Sequence, residues 1–238
     1  MATFNETDLN DPLKILAHVL PRHGIDYHPF KLSAYNSCLK KLVRPLPYPD
    51  NSLCVLLVAG PENFEKQILP SSVKKRHADP TWDFSDPINN AMTELIGSKT
   101  KNGLLDLFRL KTDVNTVYIS DEDKDPETNV CSLHVQTAGH VSKAAYFHQV
   151  VDHNISNKMG KVMGCSVHPK YGGWFVFRGV FIFPGLEFNA DVSWQKSLEP
   201  TDFDSPEIGK LAVHEFNTAY QANRWRDVIR AEKRYSYL

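Results

Sequence analysis

One arginine stands where folding alone gives it no reason to be. In HPKYGGWFVFRGVFIFPG, His168 to Gly185, Arg178 lies inside a run of Trp, Phe, Val and Ile, with Gly179 beside it. Read as a strand with alternating faces, Trp174, Val176, Arg178, Val180 and Ile182 share one side, and Phe175, Phe177, Gly179, Phe181 and Phe183 share the other. Both sides read as buried, and a buried guanidinium requires an anion. A second source of arginine is NRWRDVIRAEKRY, which carries Arg224, Arg226, Arg230, Lys233 and Arg234 among Trp225 and Tyr235. Taken alone, that segment is the solvated face of a terminal helix. Asp227 and Glu232 interrupt its charge, which argues against nucleic acid. If Arg226 points inward toward Arg178, the two form a local anion site in which each guanidinium takes a carboxylate in bidentate fashion.

A second constellation lies in SLHVQTAGHVSKAAYFHQV. Read as a helix over residues 132–149, it puts Leu133, Gln136, His140, Ala144 and Phe147 on one face. Thr137, Ala138, Gly139, Ser142 and Ala145 keep that helix shallow, so that a flat, bulky body can approach its backbone. The plainer alternative is a helix packed tightly on a neighbour, with His140 satisfied by a core hydrogen bond. The chain has ten histidines, yet His134, His140, His148 and His153 lack the i,i+4 pair of a helical metal site and no HExxH occurs, so no protein-bound metal is expected. Nucleophile-elbow, P-loop and GxGxxG patterns are absent as well.

The elements that must position these groups carry local signals. Asp11-Pro12 reads as the start of a helix with a Leu13, Leu16, Leu20 stripe that ends at Gly24. LCVLLVA, Leu53 to Ala59, suits a central strand covered on both faces. Asp86-Pro87 opens a second capped helix closing near Gly97, TVYIS (Thr116 to Ser120) is a strand, and DEDKDPETN a loop. KVMGCSVHP and GWFVFRGVFIFPG read as two strands of a hairpin around KYGG, and Ser205-Pro206-Glu207 starts a C-terminal helix. The pattern argues α+β, with one domain over 12–238 behind a polar leader at 1–11. Of 238 residues, 42% are hydrophobic and 23% charged, and 27 basic residues nearly cancel 28 acidic ones, so no global field draws in nucleic acid or a membrane surface. No signal peptide and no spanning helix is expected. Cys38, Cys54, Cys131 and Cys165 stand apart from one another, as free thiols do in a reducing, cytoplasmic setting.

YHPFKLSAYN, QTAGHVSKAAYFHQ, GCSVHPKYGGWFVFRGVFIFPG and FNTAYQANRWRD followed by RYS together resemble the CblC-type cobalamin-processing family, from about Tyr27 to Ser236. The resemblance implies a nitroreductase-like α+β fold, with a central antiparallel sheet and flanking helices, that binds cobalamin with its lower base detached. It implies glutathione-dependent dealkylation of alkylcobalamins, in which the thiolate attacks the upper-ligand carbon and leaves cob(I)alamin. It also implies reductive decyanation of cyanocobalamin by reduced FMN or FAD, with a flavin reductase drawing on NADPH as electron source. A side reaction in which cobalamin cycles with oxygen and glutathione is oxidised follows from the same chemistry. Carried over by position, the corrin contacts fall on Asp121, Leu133, His134, Val135, Gln136, Phe147, His148, Gln149, Ser166 and Phe177. His140 matches a functional histidine, and the glutathione arginines fall on Arg178 and Arg226. Phe147 and His148 stand where the family commonly has a tyrosine pair. The family also forms homodimers in some ligand states and hands cobalamin to an adaptor protein. The competing classes are a cobalamin chaperone without chemistry and a flavin reductase on the same scaffold.

Overall fold

The structure is a computed structural model that describes residues 11–39, 43–81, 86–97, 103–149, 162–188 and 205–235. The leader up to residue 10 and His153 lie outside the described residues. Helix α1 (Pro12–Val19) starts as its sequence dictates: Asp11 accepts from the Leu13 amide, Pro12 takes the first helical position, and Gly24 ends the following 3-10 turn at φ 66°. Strand β1 (Ile25–Lys31) leads through α2 (Leu32–Cys38) to β2 (Ser52–Ala59), which is buried along its whole length. Then come α3 (Pro61–Asn63), a π-turn at Phe64–Ile68 and α4 (Leu69–Ala78). Helix α5 (Pro87–Ile96) is capped by Asp86 and closed by Gly97, and α6 (Leu104–Lys111) leads to β3 (Val117–Ser120). The expected helices at Asp11 and Asp86 and the strands at Leu53 and Thr116 are therefore present.

Strand β6 (Val176–Glu187) pairs antiparallel with both β2 and β3, giving a four-stranded sheet in the order β1-β2-β6-β3. One face packs Leu56, Val58, Phe177, Val180 and Ile182 against Tyr35, Leu133 and Ala138. The other packs Val55, Leu57, Phe181 and Phe183 against Leu16, Met92, Ile96 and Phe108. Each such aliphatic or aromatic side chain withdrawn from water contributes about 1.5–3 kcal/mol. The uniform alternation expected for β6 is broken. Leu57 pairs with Gly179 but Val58 pairs with Phe177, so Arg178 is the extra residue of a bulge. Phe177 thus shares a face with Val180 and Ile182, not with Phe181 and Phe183. Gly179 makes the bulge possible, since it holds φ 128° and a Cβ there would lie 2.5 Å from the Ile119 carbonyl oxygen.

Two further expectations change. The helix expected over residues 132–149 is α7 (Val135–Val141), a left-handed turn at Lys143 (φ 59°) and then β4 (Tyr146–His148). The Ala145 amide folds back onto the Gly139 carbonyl, and aromatic Tyr146 and Phe147 find strand partners instead of helical ones. Those partners are in β5 (Cys165–Val167), with Phe147 opposite Ser166 and His148 opposite Cys165. Hence β5 and β6 are not a hairpin but belong to different sheets. The reason lies between them: His168 and Gly172 exchange both backbone hydrogen bonds (2.7 and 2.8 Å), and the Gly173 amide donates to the Arg226 carbonyl at 2.8 Å. The tight turn consumes the pairing groups and sends the chain to another sheet. Helix α8 (Pro206–Thr218), capped by Ser205, precedes the segment carrying Arg226.

Candidate functional site

The buried guanidinium finds its anion within the chain. Arg178, 5% exposed, donates from Nη1 to Asp121 Oδ2 at 3.3 Å and from Nη2 to Asn89 Oδ1. Asn89 is held in turn, donating from Nδ2 to Asp86 Oδ2 at 2.7 Å and to Glu122. The Tyr118 hydroxyl donates to the Arg178 carbonyl and so ties down the bulge. Burial pushes the Asp121 carboxyl above its usual range, and the Arg178 charge only partly opposes it. Arg178 Nε is buried without a partner among the described residues.

Two cavities adjoin at the start of β6, and Val176 lines both. The first, about 430 Å³, is walled by Gly60, Phe64, Trp174, Val176, Arg226 and Tyr235. Arg226 is anchored by its own chain: Nη1 donates to the Gly173 carbonyl at 2.6 Å, Nε to Asn223 at 3.2 Å, and the guanidinium stacks on Trp225 and Trp174 at 4.8 and 5.3 Å. Its Nη2 makes no bond to another described residue, which leaves donors for a ligand.

The second cavity, about 250 Å³, brings together Asp121, Val135, Gln136, Ser166 and Phe177 with Trp225. Ser166 Oγ is buried there with no partner among the described residues, a polar group left open to a ligand. Phe147 flanks it by packing against Gly164, and His134 meets the Phe147 ring edge-on at 5.6 Å while its Nδ1 caps α7. His148 is fully buried, and Gln149 is half-buried beyond it. Leu133, expected at the corrin, is 2% exposed in the core cluster. His140 is on the outside, its Nδ1 accepting from the Phe147 amide at 3.4 Å, rather than on a ligand-facing stripe. The small-residue face of α7 is likewise covered: a Cβ on Gly139 would lie 2.4 Å from Phe177 Cζ. Phe177 itself, not the helix backbone, presents the flat surface to the cavity.

Cys165 also lines this cavity, but burial pushes its thiol up to about 12, so it stays protonated and is no nucleophile at neutral pH. Asp26, His28 and His168 place ligand atoms within 4.8 Å of one another. Yet His168 Nδ1 accepts from the Lys170 and Tyr171 amides at 3.1 and 3.3 Å, which fixes the proton on Nε2. That nitrogen has no lone pair for a metal, the reverse of the usual ligating arrangement. Asn89 is the site residue that sequence reasoning missed, because no local signal links it to an arginine 89 positions away, and Tyr235 stood in the sequence only as an aromatic among the terminal arginines.

An α+β fold with a bulged arginine strand beside an aromatic, arginine-bearing cavity and a second cavity lined by Asp121, Gln136, Ser166 and Phe177 defines the class. The chain belongs to the methylmalonic aciduria and homocystinuria type C family, whose sequence profile matches residues 24–238. It is 32% identical over 216 residues to a Gallus gallus protein named cyanocobalamin reductase / alkylcobalamin dealkylase, covering 90% of this chain and 83% of that one. A Danio rerio protein of the same name is 29% identical over 226 residues, covering 94% and 84%. In structure it is similar to a C. elegans B12-trafficking protein, CblC, with a TM-score of 0.77 over 93% of this chain and 85% of that one; at 24% identity this likeness shows the fold.

Proposed function

We propose that this protein removes the upper ligand of cobalamin, transferring alkyl groups to glutathione and reductively releasing cyanide with electrons from reduced flavin. The observation that carries this reading is the shared wall at Val176: a cavity with free arginine donors opens beside one lined by Asp121, Gln136, Ser166 and Phe177. The corrin's apolar face lies on Phe177, and its peripheral amides meet Asp121, Gln136 and Ser166 at the rim. Glutathione enters the other cavity with one carboxylate on Arg226 and the second drawn toward Arg178, whose Nη1 and Nη2 stay with Asp121 and Asn89 and whose Nε alone is open, and its sulfur turned toward Val176 and the cobalt's upper ligand. The nucleophile comes from outside because Cys165 is held as a neutral thiol. The sulfur lone pair forms the new S–C bond, the Co–C bond breaks, and its electron pair stays on the metal as cob(I)alamin. His140 acts from outside the cavity by holding the Phe147 amide, and so the edge of β4.

The test is anaerobic visible spectroscopy of methylcobalamin with the protein, followed by glutathione. A base-off shift and then cob(I)alamin supports the enzyme. A shift that glutathione leaves unchanged makes the protein a chaperone, and no shift removes both. Cyanocobalamin with reduced FMN or FAD tests decyanation in the same format, and oxygen uptake at the protein-free rate rules out the thiol-oxidase side reaction.

A further inference from the structure

We infer that Tyr235 is a catalytic residue of the alkyl transfer, its hydroxyl donating a hydrogen bond to the glutathione sulfur as the thiolate forms. This rests on the reading of the first cavity as glutathione's. Tyr235 lines that cavity together with Val176, its ring packed edge-on against Phe64 at 5.5 Å and Trp174 at 5.7 Å. Its hydroxyl makes no hydrogen bond to another described residue and feels both the Arg226 and Arg178 charges. The segment that carries it is tied across the cavity: the Glu232 amide donates to the Lys170 carbonyl at 2.9 Å, Lys233 pairs with Glu65 at 3.0 Å, and Arg234 with Asp227 at 3.0 Å. A fixed phenol donor with no protein acceptor, in the field of two guanidiniums, suits a sulfur anion.

Burial pushes the phenol upward more than the two arginines pull it down, so Tyr235 remains a donor across the working range. In the step itself the thiol proton leaves to solvent and Tyr235 keeps its own. The sulfur lone pair forms the bond to the upper-ligand carbon, and the Co–C pair stays on cobalt, which passes from cobalt(III) to cobalt(I). Two effects of the donor oppose each other. A hydrogen bond that lowers the thiol pKa by about one unit raises the thiolate fraction about tenfold at neutral pH. The same bond lowers intrinsic nucleophilicity about threefold, for a Brønsted slope near 0.5. The net gain at neutral pH is about threefold, and it reverses once all the thiol is ionised.

The experiment is the single-turnover rate of methylcobalamin demethylation at saturating glutathione, followed against pH in wild type and Tyr235→Phe. The variant retains the ring contacts, and its melting temperature checks the fold. The expected result is a crossing of the two profiles: the variant is about threefold slower at neutral pH and about threefold faster above both thiol pKa values, with glutathione affinity unchanged. A parallel drop at every pH, or superimposable profiles, overturns the role while leaving the dealkylase reading intact. Absence of any glutathione-dependent cob(I)alamin with wild-type protein removes the dealkylase reading and this role together.

Discussion

Arg178 and Asp121 form a buried ion pair, 3.3 Å from Nη1 to Oδ2, at the residue of β6 that the bulge facing Leu57 and Val58 leaves without a partner on β2. Arg178 lines neither cavity itself but is linked to both. Its Asp121 partner lines the cavity of Gln136, Ser166 and Phe177, and its charge reaches Tyr235 in the other.

Replacing Arg178 by Gln strands a buried carboxylate beside Asn89. Stability in urea should fall by about 3 kcal/mol, with Asp121 taking up a proton in partial relief. Calorimetric titrations should show glutathione affinity falling far more than cobalamin affinity. Equal losses mean that Arg178 holds the fold or the corrin rather than a glutathione carboxylate.

Gly179→Ala should cost about 2 kcal/mol or more, since it pushes a methyl against the Ile119 carbonyl in a conformation that L residues rarely adopt. Gly139→Ala tests the other wall: it displaces the Phe177 ring, so cobalamin affinity should drop with glutathione affinity retained. Denaturant melts and separate ligand titrations read the two effects.

How much of this could be read in the chain depended on how local each signal was. The Asp11 and Asp86 caps, with glycine at the far ends, marked α1 and α5 because a cap and its helix lie within a few residues. The continuous apolar run of β2 marked its burial. The β5–β6 connection and residues 132–149 were misread because their pairing is decided by distant strands: Phe147 chooses Ser166, and β6 chooses β2. Parity along β6 failed at one bulged residue. Family resemblance supplied Asp121, Val135, Gln136, Ser166 and Phe177, which do share a cavity. It did not anticipate that Leu133 is core, or that Asp121 already occupies Arg178.

Stability should depend on pH through His168. Burial, with the charges of His28 and Lys170, pushes it down to about 3 from 6.5, and burial lowers His28 too. The unfolded chain therefore takes up protons that the folded protein refuses, so this contribution is complete above pH 6.5 and is lost as the pH falls toward 3. Between neutral pH and pH 5 the loss is on the order of 2 kcal/mol. His168→Asn keeps an acceptor for the Lys170 and Tyr171 amides, so urea melts of that variant should show a shallower acid slope; an unchanged slope contradicts the assignment.

Zinc added to metal-free protein should leave the melting temperature unchanged, since the His168 Nε2 near Asp26 and His28 carries the proton and has no lone pair to give a metal. A saturable upward shift abolished by His168→Asn would contradict that tautomer.

Carbon-13 methylcobalamin incubated without oxygen with the protein and glutathione shows where the methyl group goes. S-methylglutathione should carry the label, formed in equal amount with cob(I)alamin and strongly reduced in Arg226→Gln at subsaturating glutathione. Base-off methylcobalamin that stays intact however much glutathione is added would rule out alkyl transfer to glutathione by this protein.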